Sequence, residues 1–269
     1  MLLSFTSKLL ATLLGVAITT AALVLLISQT LLNSHYIEGE LNITNSYTHL
    51  SDAMVSEIVK HADQPDPTIA PKLKAVLTPA TLQVKLNLAL EQLQAYYLGN
   101  GTTAPTIDVS DLAAKAQAAG VPIGEGSGLD KPITLTGNNK VKGVGHTFNQ
   151  AKMISLAAVV VLAGLLALVC WKRKHWAALP DVLIWVGAQL GIIAAIFTFG
   201  PGFAEHYLKF NAASNAFATI GHDLAISIVH DLGKRLAIVA VSFLVAGIGV
   251  RILMHKYHPV QKPAFLKQK

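Results

Sequence analysis

Four stretches of this chain are apolar: residues 9–32, 153–170, 183–199 and 236–253, and the one Asp, Glu, Lys or Arg they hold is Arg251, near the end of the last. Nothing else in the sequence limits its fold as strongly. A helix must supply roughly 20 mostly apolar residues to cross the hydrocarbon layer, and charged groups are costly at that depth. The spacing predicts four transmembrane helices, the second and third lengthened by their flanks. The composition agrees, with 52% hydrophobic and 13% charged residues, against about 25% charged in globular chains. The expected fold class is an all-α membrane protein with a mainly helical extracytoplasmic domain between the first and second spans.

Charge placement predicts the orientation. Cytoplasmic flanks are enriched in Lys and Arg. Lys8, the Lys172-Arg173-Lys174 connector, Arg251 near the end of span four and the tail residues Lys256, Lys262, Lys267 and Lys269 lie on one side of such a four-span layout. Asp181 is the one acid near them, and the other fourteen acids fall in the two segments of the opposite side. Both termini are thus expected in the cytoplasm of a cell-membrane protein, with Lys234 and Arg235 as a local exception. The basic residues hug the bilayer, so the net charge of +6 is an orientation signal and implies no nucleic acid. The single cysteine, Cys170, excludes an intramolecular disulfide framework.

In order, the chain divides into a cytoplasmic N-terminus (1–8), span one (9–32), an extracytoplasmic domain (33–152), span two (153–170), a basic cytoplasmic connector (171–180), span three (181–199), an extracytoplasmic amphipathic helix (200–235), span four (236–254) and a basic tail (255–269). Span one exceeds the 7–15-residue core of a signal peptide and has no clear cleavage site, which makes it a retained anchor.

Within 33–152 the helical part is 36–119. Leu50, Met54, Ile58 and Ala62 form one stripe, ended by Pro65 and Pro67. Thr78-Pro79 is a helix start, and Leu82, Leu86, Ala89, Leu90, Leu93 and Tyr97 make a second stripe, stopped at Gly99-Asn100-Gly101. The first stripe is its expected partner. A helix over 110–119 is capped by Ser110 and closed by Gly120. Residues 120–145 read as a glycine-rich tether, with a brief strand at 133–136. Its Gly124, Gly126 and Gly128 lack the Lys-Ser/Thr of a phosphate loop. Span three is expected to break at Gly200-Pro201-Gly202. After it Phe217, Ile220, Leu224, Ile228 and Leu232 share one face of a helix that continues into span four and packs on the extracytoplasmic domain.

Chemistry-bearing motifs are sparse, and the sequence points to no catalytic residue and no cofactor. Glu205, His206, His222 and His230 are the candidate metal ligands, but eight residues separate the last two, which share only a broad helix side. Nucleophile signatures are absent. Asn42-Ile-Thr44 and Asn100-Gly-Thr102 match the glycosylation acceptor. Gly187 and Gly191 form a Gly-x-x-x-Gly pair that admits a neighbouring helix, inside the chain or in an oligomer.

The run Leu77-Thr78-Pro79, Leu90, Leu93, Tyr96-Tyr97-Leu98-Gly99 and Pro105-Thr106-Ile107-Asp108-Val109-Ser110 is similar to one in uncharacterised bacterial multi-pass membrane proteins. That resemblance implies an N-terminal anchor helix, a helical extracytoplasmic domain and a membrane bundle. It implies no activity. The expected role is a non-enzymatic envelope interaction or scaffold protein, in contact with the lipid bilayer and with an envelope protein or cell-wall partner. The alternatives are a membrane-bound enzyme or metal-dependent site on the outer face, and an oligomeric channel or transporter component.

Overall fold

The computed structural model describes residues 2–60, 68–100, 105–121, 132–134, 144–173, 178–208 and 216–257. Over these residues the chain is almost wholly helical: α1 (Leu2–Thr30), α2 (Ser34–Ile43), α3 (Ser46–Lys60), α4 (Ile69–Val76), α5 (Pro79–Tyr97), β1 (Thr106–Ile107), α6 (Ser110–Ala118), β2 (Ile133–Thr134), α7 (Val144–Arg173), α8 (Ala178–Leu208) and α9 (Ala216–Tyr257). Four helices are long and apolar enough to cross a membrane: Thr6–Thr30, Gly145–Trp171, Ala178–Gly202 and Thr219–Lys256. The chain divides into two compact units. One comprises Met1–Leu26, Ala151–Gly200 and Leu232–Lys269, and the other Ile27–Gln150 and Pro201–Asp231.

The apolar unit is a helix bundle whose core joins Leu14, Leu166, Val182, Val186, Leu190, Ala194, Leu236 and Ala240. Cys170 is buried within it as a free thiol. Its outward face is equally apolar, with Val160, Ile192, Phe199, Ile238 and Val245 all exposed. A bundle apolar inside and out suits a hydrocarbon solvent. Helix association in lipid then depends on close packing. A Cβ added to Gly187 would stand 2.7 Å from Leu244 and 2.9 Å from the Ala240 carbonyl, and one added to Gly233 would stand 2.5 Å from Thr198. The Gly-x-x-x-Gly face of α8 therefore meets α9 of the same chain at Gly187, while Gly191 makes only ordinary contact with Ala240. One side-chain hydrogen bond adds specificity: Thr19 Oγ1 donates to Gln189 Oε1 over 2.8 Å.

The polar unit has two apolar clusters. The larger gathers Val55 and Ile58 from α3, Ile69 and Leu73 from α4, Leu77, Leu82 from α5, and Val109, Leu112, Ala116 and Val121 from α6 and its flanks. The smaller joins Leu41, Tyr47 and Leu90 with Ile37, Leu86, Leu93 and Leu224. The α5 stripe thus has two partners. Leu82 meets the α3 stripe as expected, whereas Leu86, Leu90 and Leu93 meet α2, Tyr47 and α9.

Local chemistry accounts for the boundaries. Thr78 caps α5 by accepting from the Thr81 N–H at 3.2 Å, with Pro79 opening the helix,. Gly99 and Gly120 take φ of +79° and +75° past the ends of α5 and α6, the left-handed backbone that favours glycine.

Several sequence expectations need correction. Ser110 begins α6 rather than capping it; the Asp108 carboxylate accepts from the Ser110 N–H at 3.0 Å and its hydroxyl at 2.6 Å. Two helices were not anticipated, α2 and α4, the latter carrying Pro71 in its first turn, where the missing N–H has no intrahelical partner anyway,. The tether does not extend to 145, because α7 begins at Val144, nine residues before the apolar stretch. Residue Gly145 is buried there, and a Cβ on it would meet the Tyr97 carbonyl at 2.8 Å. Nor does the helix break at Gly200-Pro201-Gly202, since α8 runs through to Leu208. Proline's fixed φ is itself helical, so a helix can continue past it at the cost of one hydrogen bond and a steric clash with the preceding turn. The strand expected at 133–136 exists as β2, paired antiparallel with β1 through Thr106–Thr134 and Ile107–Ile133. The breaks at Pro65 and Pro67, the glycine run Gly124–Gly128 and the tail lysines Lys262, Lys267 and Lys269 lie outside the described residues.

Candidate functional site

The polar side chains of the polar unit concentrate where α2 faces α5 and α9. Asn33 starts α2 by accepting from the His35 N–H at 3.1 Å. That cap sets the helix phase, placing Tyr36 and Glu40 one turn apart on one side and Ile37 and Leu41 beside them. Tyr36 Oη donates to Asp231 Oδ2 at 2.8 Å, and Ser227 Oγ donates to Glu40 Oε2 at 2.6 Å. Glu40 is buried, so the Ser227 hydroxyl offsets part of the desolvation cost of its carboxyl group. Toward α5, Gln94 Oε1 accepts from both the N–H and the hydroxyl of Ser34, at 3.2 and 2.7 Å.

Tyr47 lies at the centre of the smaller apolar cluster, and its hydroxyl donates to Asn87 Oδ1 at 2.7 Å. Burial, reinforced by the negative charge of Glu38, pushes its pKa up to about 12. A phenol held neutral at physiological pH is a hydrogen-bond donor and serves here to tie α3 to α5. Ser51 likewise donates to the Leu77 carbonyl at the end of α4. Glu38 Oε2 lies 3.4 Å from His35 Nδ1. On the unit's surface, Lys85 pairs with Asp111 at 2.7 Å and Lys74 with Asp52 at 2.8 Å. The Lys85 ammonium holds the Asp111 carboxyl below its ordinary pKa.

The candidate metal ligands are placed as follows. His222 and His230 are both on α9, two turns apart, and His222 Nδ1 lies 3.4 Å from its neighbour Asp223 Oδ1. Glu205 and His206 are on the closing turns of α8, and their side chains are outside the described residues. Among the described residues, no three His, Cys, Asp or Glu side chains come together in a way that could hold a metal ion. Sequence reasoning passed over Tyr36, Glu40, Ser227 and Asp231 as a group. The matching four-residue steps, Tyr36 to Glu40 and Ser227 to Asp231, were the available signal.

No protein-family model, curated protein or solved structure matches this chain.

Proposed function

We propose that this chain is a four-span integral membrane protein of the cell envelope, with both termini in the cytoplasm, acting as a non-enzymatic interaction or scaffold protein. Its polar helical unit stands on the extracytoplasmic side and binds a protein or cell-wall partner. One observation carries the reading: four polar pairs of that unit join helix to helix. Ser34 is bonded to Gln94, Tyr36 to Asp231, Glu40 to Ser227 and Tyr47 to Asn87. Side chains used in this way build a rigid surface. That surface includes two large apolar residues one turn apart on α5, Val84 and Leu88, both exposed. Exposed apolar side chains framed by polar ones suit contact with a partner.

The sorting of basic residues to one side supports the orientation. Cross-linking intact cells and purifying the full-length protein with its adducts tests the function. A discrete adduct that is lost in Val84→Lys/Leu88→Lys, with the protein still folded and inserted, is the expected result. Recovery of no adduct from wild type, or an adduct indifferent to every substitution on the polar unit, would contradict the reading.

A further inference from the structure

We propose that two copies of this chain pair in the membrane through Gln189, each supplying the hydrogen-bond partner that the other's amide lacks. Gln189 lies one residue before Leu190, the middle of the Ala178–Gly202 span, and Thr19 lies one residue after Ile18, the middle of the Thr6–Thr30 span. The bond from Thr19 Oγ1 to Gln189 Oε1, at 2.8 Å, is the one hydrogen bond that the Gln189 side chain makes among the described residues. A primary amide carries two N–H donors and two acceptor lone pairs. Thr19 uses one lone pair, so Nε2 has no acceptor. Turning the amide over would pair Nε2 with Thr19 and leave Oε1 without a donor, and the deficit would stay.

Gln189 is only partly buried, and Nε2 is not sealed within the protein. In a bilayer it opens toward acyl chains, which accept no hydrogen bond, and a polar group left unpaired there is costly. Its neighbours on the helix surface, Trp185 four residues before it and Ile192 three after it, are exposed. Helix α1 lies against the same side of α8, since a Cβ on Gly15 would stand 3.0 Å from Trp185. Val16, beside Gly15, is exposed as well. The amide thus sits in the seam between α1 and α8, with an apolar rim around it. The close contact of α8 with α9 is elsewhere. Gln189 is two residues, roughly 200° around the helix, from both Gly187 and Gly191, so pairing at Gln189 leaves that contact intact.

A second copy fits by symmetry. Two copies inserted the same way round are related by a two-fold axis along the membrane normal, and a two-fold interface brings the same patch of both subunits together. Each residue then faces its counterpart at its own depth, and Gln189 meets Gln189 of the second copy. An amide complements itself: each Nε2 donates to the free lone pair of the other's Oε1. The Thr19 bond holds each side chain in place without using its N–H groups. Hydrogen bonds between amide side chains are among the forces that associate helices in lipid. A different membrane protein would need its own acceptor at this one depth, whereas a second copy carries it by construction.

Energy transfer between copies tests this. Full-length Cys170→Ala/Gln261→Cys protein, labelled with donor or acceptor, is mixed in lipid vesicles dilute enough that unassociated copies give no transfer. The parent is expected to show transfer that persists on further lipid dilution. Gln189→Leu keeps an apolar side chain of similar size and is expected to lose it. Thr19→Val removes the bond within the chain but keeps both amides, and is expected to retain it. If Gln189→Leu does not fold, Ile192→Trp obstructs the rim beside Gln189, whereas Ile238→Trp, at an exposed site on α9, does not. Only the first of these two is then expected to lose transfer. No transfer in the parent, or transfer retained in Gln189→Leu or Ile192→Trp, would overturn the pair. So would loss in Thr19→Val together with Gln189→Leu, which would assign the effect to α1–α8 packing. The pair rests on α8 crossing the membrane, and an alkaline carbonate wash separates the two failures. Protein washed off the vesicles overturns span and pair alike, while protein that stays and gives no transfer overturns the pair alone.

Discussion

Ser227 Oγ donates to Glu40 Oε2 over 2.6 Å, joining residues 187 positions apart in the chain. The first consequence concerns stability. Ser227→Ala leaves a buried carboxyl oxygen without its donor, and the expected loss is about 1–3 kcal/mol. Ser242, by contrast, is exposed and its hydroxyl bonds back to the Ile238 carbonyl of its own helix. Ser242→Ala is expected to change little. Thermal unfolding of both purified variants in the same detergent checks the contrast, and equal behaviour would remove the special role of Ser227.

Close approach of α8 and α9 gives a second prediction. Gly233→Ala drives a methyl group against Thr198, and Gly187→Ala drives one against Leu244 and the Ala240 carbonyl. Overpacking of this kind costs about 1–3 kcal/mol. Gly249→Ala meets nothing within 4 Å and gains helix propensity, so it should be neutral or mildly stabilising. Melting temperatures of the three variants, read by tryptophan fluorescence, test the ranking.

Leu112 is fully buried in the larger cluster of the polar unit. Leu112→Ala should destabilise that unit by roughly 2–5 kcal/mol, whereas Leu88→Ala, at an exposed site, should stay within about 0.5 kcal/mol of wild type. Limited proteolysis of the full-length protein gives the comparison, with faster cleavage within 27–150 expected only for Leu112→Ala.

Tyr47 provides a pH signature. Its folded pKa is raised from 10.0 to about 12, so an unfolded chain releases the phenolic proton first as pH rises. The stability linked to this proton is complete below about pH 10 and is lost as pH rises toward and through about 12,. Phenolate absorbance should therefore show one tyrosine titrating late in the native protein and absent from Tyr47→Phe. Identical alkaline titrations of the two proteins would refute the assignment.

The sequence exposed some of this architecture and concealed the rest for physical reasons. The four long apolar helices follow from hydrocarbon thickness, and the start of α5 from Thr78 and Pro79. The Leu224 face of α9 was legible because five apolar residues keep helical spacing. Helix α2 was not. It has only Ile37 and Leu41 as a stripe, contains Gly39, and depends on partners at Ser227 and Asp231 that no local window includes. For the same reason no local pattern marks Tyr36 and Glu40 as paired residues, although Glu40 is buried. The passage of α8 through Pro201 was hidden because proline's local signal is a stop, and continuation depends on the helix around it.

The most direct test of the proposed topology is cysteine labelling in intact cells. In a Cys170→Ala background, Gly126→Cys lies between spans one and two, and Gln261→Cys lies after span four. A membrane-impermeant maleimide should label Gly126→Cys in intact cells and Gln261→Cys only after permeabilisation. The reverse pattern, or labelling of both positions in intact cells, would contradict four spans with cytoplasmic termini and an extracytoplasmic polar unit.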